Sequence, residues 1–192
     1  DLDGTLMSGD HLTVSPRTVA ALQAAAAGHG AQVRHGTAIS SIRVLDAELA
    51  EVLTADGERV LARRVVVAAG AWTARLLNGV VPLPTLRVTQ EQPAHFATLP
   101  GVPAEADWPS FVHQLDPGSV DGARFFGGVY GLGTPGEGVK VGFHGVGPVV
   151  DPDRRDFQAR PELAAALAAY VERWLPGMDP GSAEPISCTY TT

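Results

Sequence analysis

The chain has 192 residues, of which 45% are hydrophobic and 18% are charged, and its formal net charge is −7. This apolar content suffices for one or two folded domains and excludes a disordered chain. The negative charge argues against a nucleic-acid-binding protein, because such binding depends on clustered positive charge. No apolar run approaches the roughly 20 residues of a membrane helix, and no signal peptide opens the sequence. We therefore expect a cytoplasmic protein without a membrane partner.

Both ends of the chain interrupt patterns that natural domains usually complete. The sequence begins at Asp1 without a methionine or a leading strand, and it stops at Thr192 inside a strand-forming run. We expect the chain to be a segment of a longer protein.

The first 80 residues show helix and strand patterns in alternation. A helix is predicted over Arg17–Ala27, because Ser15 can cap it, Pro16 suits its first turn and its alanine-rich interior continues to Gly28. The β-branched run Arg64–Ala69 is typical of a strand that is buried on both faces. The other predicted elements are strands at Ala31–Val33 and Ala38–Val44, a hairpin of Glu51–Thr54 and Glu58–Leu61, and a short helix at Trp72–Leu77.

From Val80 onward, short apolar runs alternate with glycine, proline and aspartate, which indicates an antiparallel sheet. A helix predicted over Pro161–Leu175 carries one apolar stripe. We therefore predict an α/β (α+β) fold that divides into residues 1–80 and residues 81–192. The stripe comprises Leu163, Leu167, Tyr170, Val171 and Trp174, and the predicted strands are Leu86–Thr89, Ala94–Thr98, Ser110–Gln114, Arg124–Tyr130, Val139–His144 and Ile186–Tyr190.

The first motif, Asp1-Leu2-Asp3-Gly4-Thr5-Leu6, resembles the opening of haloacid-dehalogenase-type phosphatases. In that family one Asp attacks phosphorus, a second acts as acid and base, and Mg²⁺ neutralises the phosphate. The resemblance covers about the first 30 residues, and the chain has no downstream Gly-Asp-x-x-x-Asp run and no lysine other than Lys140. The motif leaves two alternatives, an Mg²⁺-dependent phosphatase and an acidic turn before a helix.

The second motif places Gly70 directly after the predicted strand Arg64–Ala69. A glycine at this point permits close approach of the backbone to a ligand, and the start of the following helix favours anionic groups such as a pyrophosphate. Ordinary packing of a strand against a helix accounts for the same pattern.

The third motif is the run Val139–His144, in which strand alternation puts Lys140, Gly142 and His144 on one face. Such a face can line a polar cavity, where a lysine can hold a water or have a lowered pKa. A solvent-exposed face of the sheet explains the pattern equally well.

The fourth motif, Cys188-Thr189-Tyr190, places the only cysteine on the same face of a strand as Tyr190. A lone cysteine is most often a small buried hydrophobic residue. The alternative is a thiolate that attacks an electrophile.

Together these motifs resemble a known family. From about Gly30 to Thr192 the chain is similar to the FAD-dependent amine oxidases of the monomeric sarcosine oxidase and N-methyltryptophan oxidase type, within the D-amino-acid-oxidase-like superfamily. The resemblance is carried, in order, by Gly30-Ala31-Gln32-Val33, Gly36-Thr37-Ala38-Ile39, Ala69-Gly70-Ala71-Trp72, Pro82-Leu83, Arg87, Tyr130-Gly131, Lys140-Val141-Gly142-Phe143-His144, Val150-Asp151-Pro152-Asp153, Leu175-Pro176-Gly177 and Cys188-Thr189-Tyr190-Thr191.

The resemblance implies a role for each matching residue. Cys188 matches the cysteine that carries FAD through a thioether, and Lys140 matches the lysine that activates O₂. The implied substrate-site residues are His144, Tyr130 and Tyr190, and the implied FAD-binding positions are Ile39, Ala69, Gly70 and Trp72, with no metal. The implied reaction oxidises a secondary or N-methyl amine to an imine and reduces O₂ to hydrogen peroxide. Residues 1–80 then correspond to part of an FAD domain, and residues 81–192 to a substrate domain whose last strand returns to the flavin.

The chain also departs from the family. It lacks the Gly-x-Gly-x-x-Gly motif that cradles the pyrophosphate of FAD. If these 192 residues are the whole polypeptide, we expect FAD to bind poorly or not at all. A non-catalytic remnant is therefore the third alternative, beside the amine oxidase and the phosphatase.

Overall fold

The computed structural model describes residues 15–104 and 107–192, so the Asp1–Leu6 motif lies outside the described residues. The described residues form two compact units, one of Ser15–Val88 with Thr191–Thr192 and the other of Thr89–Tyr190. No helix within the described ranges is long and apolar enough to cross a membrane. Helices occur together with antiparallel sheets, which confirms the predicted α/β (α+β) class.

The first unit consists of a helix followed by a three-stranded antiparallel sheet. The alanine-rich segment forms the predicted helix, and the turn at Ala55-Asp56-Gly57 joins the two strands of the predicted hairpin. Gly57 adopts a φ of 92°, which is the left-handed conformation that glycine favours in a tight turn. The elements are α1 (Ser15–Gly28), β1 (Ile39–Asp46), β2 (Leu49–Thr54), β3 (Arg59–Ala62) and α2 (Thr73–Leu76), with sheet order β1-β2-β3.

A buried carboxylate holds this sheet together. Glu51 in β2 is only 1% exposed and forms ion pairs with Arg43 of β1 and Arg59 of β3. The hydrogen bond from Arg43, followed by that from Arg59, lowers the pKa of Glu51. A charge this deeply buried is tolerated only because it is paired on both sides.

Two predicted strands of this unit are wrong. Residues 64–69 form no strand, and Val66 is 92% exposed. The run Ala31–Val33 is also irregular. A strand exists only where a neighbour completes its hydrogen bonds, and no described strand pairs with either segment. The β-branched residues of 64–69 carry strand propensity, but propensity alone does not form a strand.

The second unit is built on a five-stranded antiparallel sheet covered on one face by a helix. A separate two-stranded sheet pairs β4 with β10. The elements are β4 (Val88–Glu91), β5 (Ala94–Phe96), β6 (Phe111–Gln114), α3 (Val120–Arg124), β7 (Gly128–Thr134), β8 (Gly138–Phe143), α4 (Pro161–Trp174), β9 (Glu184–Pro185) and β10 (Cys188–Thr191), and the five-stranded order is β6-β7-β8-β5-β9.

Strand alternation divides this sheet into an apolar face and a polar face. In β8 the side chains of Val139, Val141 and Phe143 are buried in the core, as the alternation predicts. The predicted stripe of α4 packs on the same face, with Leu163, Leu167, Tyr170 and Val171 buried and Trp174 partly buried. We call the opposite side of the sheet the open face.

The predicted strand at Arg124–Tyr130 begins too early. Val120–Arg124 forms α3, because Ser119 caps this helix by accepting a hydrogen bond from the Gly122 amide at 2.9 Å. Phe126 and Gly127 then take positive φ values, and this turn delays the start of β7 until Gly128.

Candidate active site

The open face carries Tyr130 and Lys140 on neighbouring strands. Tyr130 of β7 lies opposite Gly142 of β8, and Lys140 lies opposite Leu132. A Cβ atom at Gly142 would stand 2.6 Å from the Tyr130 hydroxyl and 2.9 Å from Pro93. Gly142 therefore lets the tyrosine ring lie across the sheet.

The Tyr130 hydroxyl meets a second phenol. Its oxygen lies 2.6 Å from the Tyr190 hydroxyl oxygen, and either group can donate the hydrogen bond. Burial raises the pKa of both phenols, and the shared hydrogen bond raises that of Tyr130 further. Both tyrosines are therefore neutral at physiological pH, and one hydroxyl proton of the pair stays available for a ligand.

His144 follows β8 directly and extends this cluster. It is exposed, and its ring centroid lies 5.1 Å from that of Tyr190. His144 and both tyrosines line an open cavity of about 550 Å³, to which Val112 and Gln114 of β6 also contribute. His144 on this face thus lines a cavity and is also open to solvent.

Lys140 and Cys188 lie close together beside the tyrosine pair. The Lys140 ammonium nitrogen is 4.0 Å from the Cys188 sulfur. Cys188 is a free thiol and is only half-buried in β10, outside the hydrophobic core. Cys188 is therefore not the small, fully buried hydrophobic residue that a lone cysteine most often is. Its sulfur lies beside a cation.

The predicted FAD-binding positions lie in the first unit. Ile39 begins β1, and Gly70–Trp72 forms a 3-10 turn in which the Trp72 amide donates to the Ala69 carbonyl at 3.0 Å. Gly70 has a φ of 51°, and a Cβ atom there would meet no atom within 4 Å. The backbone at Gly70 is therefore open to close approach, while the side chains of Ile39 and Trp72 are exposed. The open backbone at Gly70 and the exposed apolar side chains of Ile39 and Trp72 each suit contact with a flat aromatic cofactor.

Comparison with known proteins identifies the family. The sequence pattern of the DAO family, described as FAD dependent oxidoreductase, matches residues 1–191. The chain belongs to this FAD-dependent oxidoreductase family. The match includes the Asp1–Leu6 motif, so the same family covers the segment that resembles a phosphatase.

Relatives of this chain include monomeric sarcosine oxidases. The enzyme from Bacillus sp. (strain NS-129) is 29% identical over 180 residues, covering 92% of this chain and 44% of that protein. The enzyme from Bacillus sp. (strain B-0618) is 26% identical over 174 residues, covering 84% and 41%. The chain thus spans less than half the length of these relatives.

Solved structures give the same fold. The open form of NikD, described as an unusual amino acid oxidase essential for nikkomycin biosynthesis, has a TM-score of 0.69 and 26% identity, covering 91% of this chain and 43% of that one. Iminodiacetate oxidase from Chelativorans sp. BNC1 has a TM-score of 0.53 and 26% identity, covering 91% and 41%. The resemblance to the amine oxidases read from the sequence is confirmed.

Sequence reasoning missed two polar groups of the second unit. Glu91 at the end of β4 is fully buried, and His113 in β6 is 3% exposed. His113 contacts the Tyr170 hydroxyl at 2.9 Å and lines a second, apolar cavity of about 390 Å³ with Trp108 and Trp174. A Glu or His inside a strand pattern usually indicates an exposed side chain, so no sequence signal distinguished them.

Across residues 15–104 and 107–192, no group of three or more His, Cys, Asp or Glu side chains is arranged to hold a metal ion.

Proposed function

We propose that this chain contributes the substrate-facing part of an FAD-dependent amine oxidase. Its reaction would convert a secondary or N-methyl amine, such as a sarcosine-like amino acid, to an imine and reduce O₂ to hydrogen peroxide. One observation carries the proposal: Tyr130, Tyr190, His144, Lys140 and Cys188, which the family resemblance singles out, converge in one unit.

Each unit, taken by itself, offers residues that suit FAD. In the first unit, the open backbone at Gly70 and the exposed side chains of Ile39 and Trp72 suit a flat ring system. In the second unit, the half-buried thiol of Cys188 is the group that would form a covalent thioether; its S–H bond and one flavin C–H bond would be replaced by a C–S bond, and O₂ would take up the two electrons. FAD, when bound, accepts two electrons from an amine and passes them to O₂.

Lys140 supplies a positive charge beside Cys188. A fixed cation stabilises negative charge as it develops on O₂ during reduction. The exposed fraction of Lys140 is intermediate, so the ammonium is neither fully hydrated nor fully buried. This placement supports an electrostatic role in the reaction with O₂.

The tyrosine pair and His144 orient the amine. Neutral phenols donate and accept hydrogen bonds, and the cavity they line with Val112 offers an apolar wall for the carbon substituents. The exposed imidazole of His144 lines the same cavity, where its ring nitrogens can form a hydrogen bond with the amine.

The first experiment tests the covalent link. We expect the protein expressed from its native gene to keep flavin fluorescence on a denaturing gel and to gain the mass of FAD less two hydrogens, and we expect Cys188→Ser to lose both. Intact mass of the same samples checks the assignment. Protein that binds no flavin in any form, before or after addition of FAD, would contradict the proposed function.

The second experiment separates the two half-reactions. We expect Lys140→Met to slow reoxidation of the reduced flavin by O₂ far more than flavin reduction by the amine, both measured by stopped-flow absorbance. Lys140→Arg is the matched control, because it keeps the positive charge. Equal slowing of both half-reactions in Lys140→Met would count against the role given to Lys140.

A further inference from the structure

The most deeply buried acidic side chain of the second unit lies outside the reactive cluster. Glu91, at the end of β4, is 0% exposed. It accepts hydrogen bonds from the Thr89 hydroxyl at 2.6 Å, from the Val146 amide at 3.1 Å, and from the Gly147 amide at 3.1 and 3.0 Å to its two oxygens. All of these partners are donors, so the arrangement suits an ionised carboxylate.

These bonds attach an irregular segment to β4. We call Gly145–Val149 the strap. Besides the two amides held by Glu91, the Gln90 amide donates to the Pro148 carbonyl at 3.0 Å, and Thr89 forms a bridge with Val149. The contact is very close, because a Cβ atom at Gly147 would stand 2.0 Å from the Gln90 carbonyl oxygen. Only glycine fits at that position.

The strap begins immediately after His144, and β4 pairs with β10, which carries Tyr190. The two rings that meet at 5.1 Å are therefore held by two segments that both attach to β4. Glu91 is the side chain that joins the strap to this strand. Its negative charge also reaches the tyrosines: burial is the main cause of the raised pKa of Tyr130 and Tyr190, and Glu91 adds a smaller contribution to each.

We propose that Glu91 is a positioning residue of the amine site, which fixes His144 relative to Tyr190 by pinning the strap to β4. This inference rests on the proposed function. Glu91 does not line the cavity that His144 and the tyrosines share, so it acts through the backbone that carries them. Flavin reduction by the amine then depends on Glu91, whereas the reaction with O₂ at Lys140 does not.

The test compares the FAD-loaded full chain with its Glu91→Gln variant. The amide nitrogen of Gln cannot accept the hydrogen bonds that one carboxylate oxygen accepts. We expect hydrogen exchange at the Val146 and Gly147 amides to speed up by about tenfold or more, which corresponds to about 1.4 kcal/mol. We also expect flavin reduction by sarcosine to slow by about tenfold, with unchanged reoxidation by O₂.

Two further variants keep the proposal testable. Gly147→Ala displaces the strap without removing the charge, so it should reproduce the slower flavin reduction. Leu167→Val weakens the core on the opposite face of the sheet, where Leu167 is fully buried. It should lower the melting temperature. It should not change the hydrogen-exchange rates of the Val146 and Gly147 amides or the ratio of the rates of flavin reduction and reoxidation.

Two results would overturn the role of Glu91. One is that the Val146 and Gly147 amides of the Glu91→Gln variant exchange hydrogen at the same rate as in the wild-type protein. The other is equal slowing of both half-reactions, as a merely structural defect would produce. Failure of the proposed function is distinguishable from both, because the wild-type protein itself would then reduce no flavin with sarcosine or any other secondary amine.

Discussion

The hydroxyl oxygens of Tyr130 and Tyr190 lie 2.6 Å apart although 60 residues separate them in the chain. This hydrogen bond ties the five-stranded sheet, through β7, to the strand that carries Cys188. The bond is partly buried, so water competes with it only weakly.

The bond between these two hydroxyls should therefore be measurable. We expect Tyr130→Phe and Tyr190→Phe each to lower the free energy of unfolding, and the double variant to lose less than the sum. The coupling should be about 0.5–1.5 kcal/mol, the net value of a typical hydrogen bond. Urea unfolding of the four proteins of this cycle measures it. Strict additivity would show that the two hydroxyls do not interact.

The chain has three tyrosines, and burial raises the pKa of all three, Tyr130, Tyr170 and Tyr190. We expect no tyrosinate absorbance at 295 nm near the ordinary pKa of 10.0 while the protein stays folded. The unfolded chain loses these protons first, so the free energy of unfolding falls as pH rises above about 10. A spectrophotometric titration followed in parallel by circular dichroism checks this. A tyrosine that ionises near pH 10 in the folded protein would be inconsistent with the burial of all three phenols.

Gly142 is the position at which the tyrosine arrangement is most sensitive to added volume. Gly142→Ala would place a methyl group against Tyr130 and Pro93, and we expect a loss of stability of about 1–3 kcal/mol. Gly128 in β7 is the matched control, because a Cβ atom there meets nothing within 4 Å. Thermal unfolding of both variants makes the comparison. Equal losses would point to backbone effects of alanine instead of a clash with Tyr130.

His113 makes the second unit sensitive to mild acid. Burial lowers the pKa of His113 below its ordinary value of 6.5, and the charge of Asp121 opposes this shift only in part. The unfolded chain therefore takes up a proton first, and stability falls as pH drops from about 6.5 toward the folded-state pKa. The slope is at most about 1.4 kcal/mol per pH unit for one proton.

His95 has a lowered pKa for the same main reason, so it contributes to the same window. We expect His113→Phe to reduce the pH dependence of the free energy of unfolding between pH 6.5 and 5, measured with urea. The double variant His113→Phe/His95→Gln should reduce it further. An unchanged slope in the double variant would mean that other groups carry the acid sensitivity.

Features whose pattern lies within one helix or strand were predictable from the sequence. The alternation of Val139, Val141 and Phe143 against Lys140 and Gly142 was readable because a strand repeats every two residues. The helix over Pro161–Trp174 was readable from its apolar stripe. In both cases the pattern lies within one element.

What the sequence left unresolved depends on partners distant in the chain. The run 64–69 has strand composition but no described neighbour to pair with, and Val66 is exposed. The contact of Lys140 with Cys188 bridges 48 residues, and that of Glu91 with Gly147 bridges 56. Only the family resemblance placed Lys140 and Cys188 in one site, and nothing in the sequence marked Glu91.

The division of the five-stranded sheet into two faces has a consequence for evolution. The apolar face against α4 holds most of the buried hydrophobic residues of this unit, whereas Val112 and Gln114 line the cavity on the other face. Both are exposed side chains on β6, at the edge of the sheet. A lineage can therefore exchange them, and with them the size and polarity of the cavity, without disturbing the packing that keeps the protein folded.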